Sequence, residues 1–440
     1  MKIDSTAAGI FLTVLMVCGL IAGGSAPASA AGTTYFVSAA GSDSNSGTSS
    51  TAPWKTLSKV NQTVLLPGDT VSFRRGDTFT GGIVTAQSGT STAPITLNSF
   101  GAGNPPTVTG GKSGNCIRIN GNFTAVDGLR AVACGYAGIS ITGDRNTVRN
   151  SSASNNAVGL KVGNSSDFGK YAGNSLTNNN VMNVNTPGTN CGTSIAVNCS
   201  DDSGAFGVLI NGSDNEFSGN TVSGSVGKSY DYNLDGGAFE IYNGNRNSIH
   251  HNVSVDNNTF SELGKSSGTA DGNTFRYNLI RSTCGANCSE SKGLIARGAG
   301  SSYGPNNATV FEFNTVYLTG AQSQAVVCHA TCPATTVIRA NILVGVKNSL
   351  WINGSGWTEK QNVLNGPTNI TPSSSSTTAP ARFASAPANL RLTANSPAID
   401  RAGTTPYAVD LLNAPSVQNG DCVGTAAADA GAYEYDSPYC

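Results

Sequence analysis

Few folds are compatible with the short apolar segments that recur through the middle of this sequence. Seven segments of about five residues share alternating apolar side chains beside Gly, Asn or Asp: GISITG at 138–143, GLKVG at 159–163, GVLING at 207–212, AFEIYN at 238–243, FSELGK at 260–265, GLIARG at 293–298 and AVVCHA at 325–330. Such alternation predicts strands, and the small polar residues between them predict turns. Because no long helical period interrupts them, the segments predict a solenoid in which strand stacks on strand.

A column of asparagines accompanies these segments and supports the same architecture. Each stands three residues after an apolar side chain: Asn179, Asn220, Asn252, Asn278, Asn314 and Asn341. Their spacings of 41, 32, 26, 36 and 27 residues indicate one repeat with insertions of variable length. Asparagine tolerates left-handed turn conformations, and stacked side-chain amides can hydrogen-bond to each other. We interpret the column as structural, in a parallel β-helix.

Both ends of the chain resemble a known group of proteins. The segment TYFVSAAGSDSNSGTSSTAPWKTLSKVNQTVLLPGDTVSFRRGDTF, residues 34–79, resembles the N-terminal capping region of secreted right-handed parallel β-helix proteins of the pectin-lyase-like superfamily. LRLTANSPAIDRAG and DAGAYEY resemble the C-terminal portion of the same group. The resemblance implies an all-β, right-handed parallel β-helix. It does not select an activity, because the group includes lyases, glycoside hydrolases, epimerases and proteins without known catalysis.

Four regions are predicted along the chain. Residues 1–30 form a signal peptide, residues 31–110 the N-terminal cap and first coils, residues 111–365 the β-helix core with its insertions, and residues 366–440 a Ser/Thr/Pro-rich connection and capping tail. Apolar residues at 54, 57, 60, 64 and 65 have helical spacing and predict a capping helix over the first coil. The C-terminal tail is expected to pack along the body of the solenoid.

Charge and the N-terminus point to export and away from nucleic acid. Only 12% of residues are charged and the formal net charge is -1, whereas a nucleic-acid-binding protein usually has a basic excess. The apolar run IFLTVLMVCGLIAG followed by APASA is typical of a secretion signal cleaved after Ala30. A membrane anchor is the alternative, but the run is short for a span of about 20 residues. We therefore expect a secreted, extracellular monomer without membrane attachment.

The cysteines also fit an exported protein. Apart from Cys18, ten remain, and an even number at close spacings predicts disulfides in an oxidising compartment. Zinc is the less favoured interpretation, because no matching His or Cys pair stands at ligand spacing. Pairing of sequence neighbours gives Cys116–Cys134, Cys191–Cys199, Cys284–Cys288, Cys328–Cys332 and Cys422–Cys440.

Two glutamates recur at equivalent positions of the repeat. With Ile139 and Ile141 pointing inward, the same alternation places an outward column at Ser140, Lys161, Leu209, Glu240, Glu262, Ile295 and Val327. Glu240 and Glu262 would then be neighbours on adjacent coils. Like charges at this spacing repel and raise one pKa, as a general acid near neutral pH requires. Carboxyls about 5–5.5 Å apart suit a retaining glycosidase and wider pairs an inverting one.

Long insertions precede the recurring strands and predict the walls of a groove beside this column. They and the next outward column supply the other candidate residues. Asp235 is a third catalytic candidate, or only a turn residue before two glycines. Substrate contacts are predicted for Tyr242, Arg297, Lys161, Asp202, Tyr232, Lys265, Lys292 and His329. The two histidines His250 and His251 fall on another face of the coil, and we interpret them as structural.

Three functions remain open from the sequence. The first is a glycoside hydrolase that cleaves a polysaccharide with Glu240 and Glu262 and needs no cofactor or metal. The second is a polysaccharide lyase that acts on a uronate polymer by β-elimination. It would use Lys161, Lys265, Lys292 or Arg297 as base, with Ca²⁺ held by the three carboxylates. The third is a non-catalytic module that binds a glycan or a cell surface.

Overall fold

The computed structural model describes residues 32–110, 114–191, 193, 195–199 and 201–439. They belong to one compact unit, Gly32–Cys440. The predicted signal peptide and Cys440 lie outside the described residues. No helix within these ranges is both long and apolar enough to span a membrane.

Three large parallel sheets, stacked coil on coil, form the body. In the described part of the chain, sheet 1 has 12 strands. Its strands are Thr34–Val37, Thr70–Arg74, Ile95–Phe100, Thr124–Asp127, Thr147–Arg149, Lys170–Ala172, Glu216–Ser218, Ser248–His250, Thr274–Arg276, Val310–Glu312, Val337–Arg339 and Thr358–Lys360.

Sheet 2 contains all seven segments that the repeat identified. Over the same described ranges it has 10 strands. They are Ile83–Thr85, Ile117–Ile119, Ala137–Ile141, Val158–Val162, Phe206–Ile210, Gly237–Tyr242, Thr259–Gly264, Lys292–Arg297, Gln324–His329 and Asn348–Ile352.

Sheet 3 closes each coil, with 11 strands among the residues described. They are Thr78–Thr80, Thr107–Thr109, Arg130–Val132, Ser152–Ser154, Ser175–Thr177, Thr221–Ser223, Val253–Val255, Leu279–Ser282, Thr315–Leu318, Ile342–Val344 and Val363–Asn365. Three parallel sheets visited in the same order by each coil fit the predicted right-handed parallel β-helix. The last strand of sheet 3 ends at Asn365.

Shorter elements lie outside the three sheets. Two antiparallel pairs belong to insertions before sheet 2: Met182–Val184 with Ser203–Gly204, and Gly227–Ser229 with Asn233–Asp235. A third pair, Phe383–Ser385 with Asn389–Leu392, lies in the C-terminal region. The helix Leu57–Gln62 is shorter than the stretch of residues 54–65 whose apolar spacing predicted a helix. Gly285–Cys288 forms one turn of 3₁₀-helix.

Inward side chains fill the interior as continuous stacks. Phe217, Phe239, Phe260, Phe275 and Phe311 are at most 1% exposed, and their successive ring centroids lie 6.0, 5.6, 6.0 and 6.1 Å apart. Each coil adds rings that cover those of the coil below, so no coil could bury its apolar face alone. This core fixes which side chains of sheet 2 point outward.

The asparagine ladder is present, but one predicted member is wrong. Side-chain amides link Asn174 to Asn220, Asn220 to Asn252, and onward through Asn278, Asn314, Asn341 and Asn362 at 2.9–3.1 Å. Asn179 instead accepts from Asn156 at 2.8 Å in another turn. Tyr171 aligns with Phe217, so Asn174 rather than Asn179 falls at the ladder position.

Four of the five predicted disulfides are confirmed: Cys116–Cys134, Cys191–Cys199, Cys284–Cys288 and Cys328–Cys332. The second and third lie in insertions beside sheet 2. The predicted Cys422–Cys440 pair includes a residue outside the described ranges.

Candidate active site

Glu240 and Glu262 occupy directly paired positions on the outer face of sheet 2. Phe239 and Ile241, on either side of Glu240, are fully buried in the core. Because alternate residues of a strand point to opposite faces, both glutamates point out of the coil. Adjacent strands lie about 4.8 Å apart, so the two side chains are vertical neighbours. The predicted alignment of these positions is confirmed.

Arg297 binds Glu262. Nη2 of Arg297 contacts Oε1 of Glu262 in a salt bridge, and Nη1 donates to the Leu263 carbonyl at 2.8 Å. The Arg297 side chain is only 14% exposed, so little water screens this pair. A paired guanidinium stabilises the charged form of a carboxylate.

Glu240 has a different environment. Within the described ranges its carboxylate has neither a hydrogen bond nor a salt bridge from the protein, and the side chain is half-buried. Burial, followed by the charges of Glu262 and Asp235, raises the pKa of Glu240 well above its usual value, and Arg297 only partly opposes this. Glu240 therefore holds a proton at a pH where an exposed glutamate would have lost it.

Asp235 is the third carboxyl of the group. It ends the hairpin strand Asn233–Asp235, and its Oδ1 accepts from the Gly236 backbone at 2.7 Å. Burial, together with the charges of Glu262, Asp201 and Asp202, raises the pKa of Asp235 to about 7. The insertion thus places a second protonatable group beside Glu240.

These carboxyls line a cavity of about 650 Å³ on the outer face of sheet 2. Leu209, Ile295, Val327 and Tyr242 give it apolar and aromatic surface, and the insertions supply polar walls. Such a mixture suits a saccharide, because its ring faces pack on apolar surface while its hydroxyls need polar partners.

The structure brings most of the predicted substrate-binding residues to this cavity. The lining includes Tyr242, Arg297, Asp202, Tyr232, Lys292 and His329. Burial and the charge of Arg297 lower the pKa of His329, which favours its neutral form. Nζ of Lys292 donates to the Glu290 carbonyl at 3.2 Å.

Two predicted lysines are not among the residues that line the cavity. Nζ of Lys161 lies 4.9 Å from the ring centre of Tyr136. Lys161 lies two coils below Glu240 in the outward column of sheet 2. The cavity includes Leu209 and Glu240 of this column but does not extend to Lys161. Lys265 follows the end of the strand Thr259–Gly264, where its backbone donates to the Tyr303 carbonyl at 3.1 Å. The lining does not support substrate contacts for either lysine.

Asp202 lines the cavity, but its carboxylate accepts hydrogen bonds from the insertions that form the wall. It is 5% exposed and accepts from the backbone of Thr186, Tyr230 and Asp231 at 3.0, 2.7 and 3.1 Å, and from the Ser229 hydroxyl at 2.9 Å. These donors hold the pKa of Asp202 below its usual value, against the effect of burial. The geometry favours a structural role over the predicted substrate contact.

Sequence reasoning placed Asp201 in a wall of the groove without predicting a substrate contact for it, and it did not identify Tyr303. Asp201 accepts from the hydroxyls of Tyr232 at 2.5 Å and Tyr303 at 3.3 Å. Asp201 stands in an insertion that was predicted to form a wall, but Tyr303 lies in a loop after a strand. Only the long stretch between GLIARG and the next strand, residues 299–309, could have indicated a second wall there.

His250 and His251 lie on sheet 1 and its following turn, away from this face, as predicted. Their Nδ1 atoms are 2.9 Å apart, and Nε2 of His251 lies 3.0 Å from the Val409 carbonyl. The Tyr407 ring packs on both. They therefore contact the C-terminal region and not the cavity.

The three carboxyls do not form a compact calcium site. Within the described residues, Asp235, Glu240 and Glu262 do not bring one oxygen each within 4.8 Å of the others, and Glu262 is paired with Arg297. The two clusters that meet this distance contain cysteines that are already in disulfides. The donor set therefore does not fit the six to eight oxygen ligands that Ca²⁺ takes.

Comparison with known proteins identifies the fold more clearly than the family. No model of a known protein family matches the sequence. A stretch of 98 residues, 20% of this chain, is 40% identical to lacto-N-biosidase from Bifidobacterium longum subsp. longum. The match spans 6% of that protein, so this chain corresponds to a small part of it.

Two solved structures share the architecture at low sequence identity. Pectate lyase Pel9A has a TM-score of 0.57 and 15% identity, covering 92% of this chain and 97% of that one. XylC, solved with xylose, has a TM-score of 0.54 and 9% identity, covering 77% and 76%. At this identity the likeness concerns the fold alone, which is a parallel β-helix.

Proposed function

We propose that this protein is an exported carbohydrate-active enzyme, a glycoside hydrolase in which Glu240 is the general acid and Glu262 the nucleophile. The observation that carries this assignment is the contrast between two paired carboxyls. Burial and like charges keep a proton on Glu240, whereas Arg297 pairs with Glu262. A retaining glycosidase needs these two states within reach of one glycosidic bond.

The proposed reaction has two displacements. Glu240 donates its proton to the glycosidic oxygen while Glu262 attacks the anomeric carbon. The glycosidic bond breaks, the remainder of the saccharide leaves as an alcohol, and a glycosyl-enzyme forms. Glu240, now a carboxylate, takes a proton from water, which attacks the same carbon and releases Glu262. Strands about 4.8 Å apart favour this retaining geometry over the wider inverting one. Asp235 is the reserve acid, since its pKa is also raised.

The local match to an enzyme named as a biosidase supports hydrolysis of a glycan. A cavity with apolar surface and polar walls supports a saccharide ligand. Four disulfides are consistent with an oxidising, extracellular location.

A uronate lyase is the competing proposal, and the arrangement of cations favours it less. Arg297 is engaged with Glu262, and Lys292 contacts a backbone carbonyl, so neither stands ready as a base. The three carboxyls proposed as Ca²⁺ ligands do not converge. Both lyase chemistry and a requirement for Ca²⁺ remain open to direct test.

The test is a screen of xylan, galactan, polygalacturonate and alginate with two parallel readouts. A hydrolase releases reducing ends without an ultraviolet-absorbing product, and chelation leaves its rate unchanged. A lyase produces an unsaturated, ultraviolet-absorbing end, and Ca²⁺-dependent lysis stops on chelation. If a saccharide binds and no bond is cut under any condition, the protein is a glycan-binding module.

A further inference from the structure

A hydrogen-bonded bridge of three side chains stands over the candidate carboxyls. The Asp201 carboxylate accepts from the Tyr232 hydroxyl through Oδ1 and from the Tyr303 hydroxyl through Oδ2. All three side chains line the cavity, and all three are exposed on its outer side, with Tyr232 and Tyr303 at 49% and 38%.

The members of this bridge come from opposite edges of sheet 2. Asp201 precedes the strand Phe206–Ile210, and Tyr232 precedes the strand Gly237–Tyr242, so both approach from the N-terminal edge. Tyr303 follows the strand Lys292–Arg297 and approaches from the C-terminal edge. Because the strands of this sheet are parallel, the bond between Asp201 and Tyr303 joins the two walls of the groove.

The bridge crosses the groove at the coils that carry the glutamates. The Tyr303 carbonyl accepts from the backbone of Lys265, directly after the strand of Glu262. The Tyr303 ring centre lies 5.6 Å from the guanidinium carbon of Arg297, which binds Glu262. The negative charge of Asp201 raises the pKa of the Tyr303 hydroxyl, so this hydroxyl remains a donor at neutral pH.

We propose that the Asp201–Tyr303 hydrogen bond, the part of this bridge that joins the two walls, restricts this site to the ends of saccharide chains. An internal segment must be laid into a groove from above, and a link between the walls prevents this. A chain end can enter beneath the link. Asp201 and Tyr303 are then specificity-determining residues that select end-wise cleavage, an inference that rests on the proposed glycoside hydrolysis.

Two single-atom variants separate this role from general damage. Tyr303→Phe removes the hydroxyl that joins the walls and keeps the ring beside Arg297. Tyr232→Phe is the matched control, because it removes a bond to the same carboxylate within one wall. Circular dichroism and thermal melting establish that both variants are folded.

The first measurement follows cleavage of soluble xylan, galactan, polygalacturonate and alginate. We expect the wild-type protein to release reducing ends with little loss of viscosity. Tyr303→Phe should increase the viscosity lost per new end roughly tenfold, which is the factor of one hydrogen bond to a charged group. Tyr232→Phe should leave this ratio near the wild-type value.

The second measurement does not depend on turnover. In the Glu240→Gln background, oligosaccharides prepared from the same polymers are titrated by calorimetry, and the parent polymers are tested by affinity gel electrophoresis. We expect the Glu240→Gln protein to bind oligosaccharides but to migrate through the polymer-containing gel without retardation. Adding Tyr303→Phe to this variant should retard its migration. If the protein with Tyr303 intact cleaved polymers internally, or if polymers strongly slowed its migration in the gel, the bridge proposal alone would be overturned. Failure of every probe to bind or be cut would overturn both this proposal and the proposed function.

Discussion

Glu240 and Glu262 show how one residue type acquires two roles from its surroundings. Their backbone positions are paired, and both side chains leave the same face of the same sheet. The difference lies in their neighbours, because Arg297 contacts Glu262 and no described residue donates to Glu240. The backbone register supplies the pair, and the different surroundings support the proposed roles of Glu240 as acid and Glu262 as nucleophile.

Replacement of Glu240 tests the acid directly. We expect Glu240→Gln to lower kcat by roughly 10²–10⁴-fold, since proton transfer from a positioned acid contributes about that factor. Saccharide affinity should remain near the wild-type value, because the amide has the same shape. Parallel measurement of turnover and calorimetric binding checks both, and unchanged turnover would exclude Glu240 as the acid.

Asp235 should contribute to the pH at which Glu240 loses its proton, after burial and the charge of Glu262. Its charge is one of the causes that raise the pKa of Glu240. The proposed mechanism requires protonated Glu240, so activity should fall as pH rises through that pKa. Asp235→Asn removes a like charge, and the alkaline limb of kcat/KM should therefore move to lower pH.

The matched control for this pH shift is Glu290→Gln. Glu290 also lines the cavity, but it is not among the charges that shift Glu240. A full pH profile of both variants gives the comparison. Equal displacement of both alkaline limbs would mean that total charge, and not Asp235, controls the proton.

At the scale of elements, the asparagine ladder ties each turn to the next. Asn252 is fully buried, donates to the Phe217 carbonyl and Asn278, and accepts from the Asn220 backbone. Each of these bonds joins Asn252 to a neighbouring coil, so the ladder runs along the solenoid axis.

Loss of one ladder member should destabilise the whole body. We expect Asn252→Ala to lower the free energy of unfolding by roughly 2–4 kcal/mol, because it leaves a buried N–H and a buried carbonyl unpaired. Denaturant unfolding measures this effect. Asn180→Ala, at an exposed position, is the control and should change stability by less than about 0.5 kcal/mol.

The insertions form elements of a second kind. Asp202 joins the insertion before Phe206–Ile210 to the hairpin of Gly227–Asp235 through three hydrogen bonds, from Ser229, Tyr230 and Asp231. The same hairpin ends at Asp235 and carries Tyr232 to the bridge. A residue predicted to bind substrate therefore positions residues that do face the cavity.

At the scale of the whole molecule, residues after 398 pack against the coils. The Tyr277 hydroxyl lies 2.6 Å from Thr405, and the Ala432 backbone donates to Thr315 at 2.9 Å. Two buried carboxyls lie in this region. Burial raises the pKa of Asp429 to about 7, and burial with the charge of Asp429 raises the pKa of Glu434 to about 9.

These raised values predict that the folded protein is more stable in mild acid than in mild alkali. A carboxyl whose folded pKa exceeds its unfolded value stabilises fully below the unfolded pKa of about 4, and this contribution is lost as pH rises through the folded pKa. We expect Tm to decrease from about pH 5 to pH 9. Asp429→Asn should flatten that slope in calorimetric melts, and an identical slope would refute the role of Asp429.

Local alternation and spacing were enough to predict the repeat and the outward column, and pairing of neighbouring cysteines predicted the four disulfides that the structure confirms. Apolar side chains at every second position leave only one face for Glu240 and Glu262. The same local logic failed for Asn179, since Asn174 and Asn179 both follow an apolar residue by three positions. Only the pairing of Tyr171 with Phe217 decides between them.

Tertiary structure decided everything that depends on how insertions meet above sheet 2. No spacing rule relates Asp201, Tyr232 and Tyr303, whose loops fold back across the sheet from opposite edges. The same packing pairs Arg297 with Glu262 and directs the Asp202 carboxylate to backbone donors of the wall. It also leaves Lys161 outside the cavity lining. Alternation along a strand fixes a direction, but distance between loops is set only when the coils have stacked.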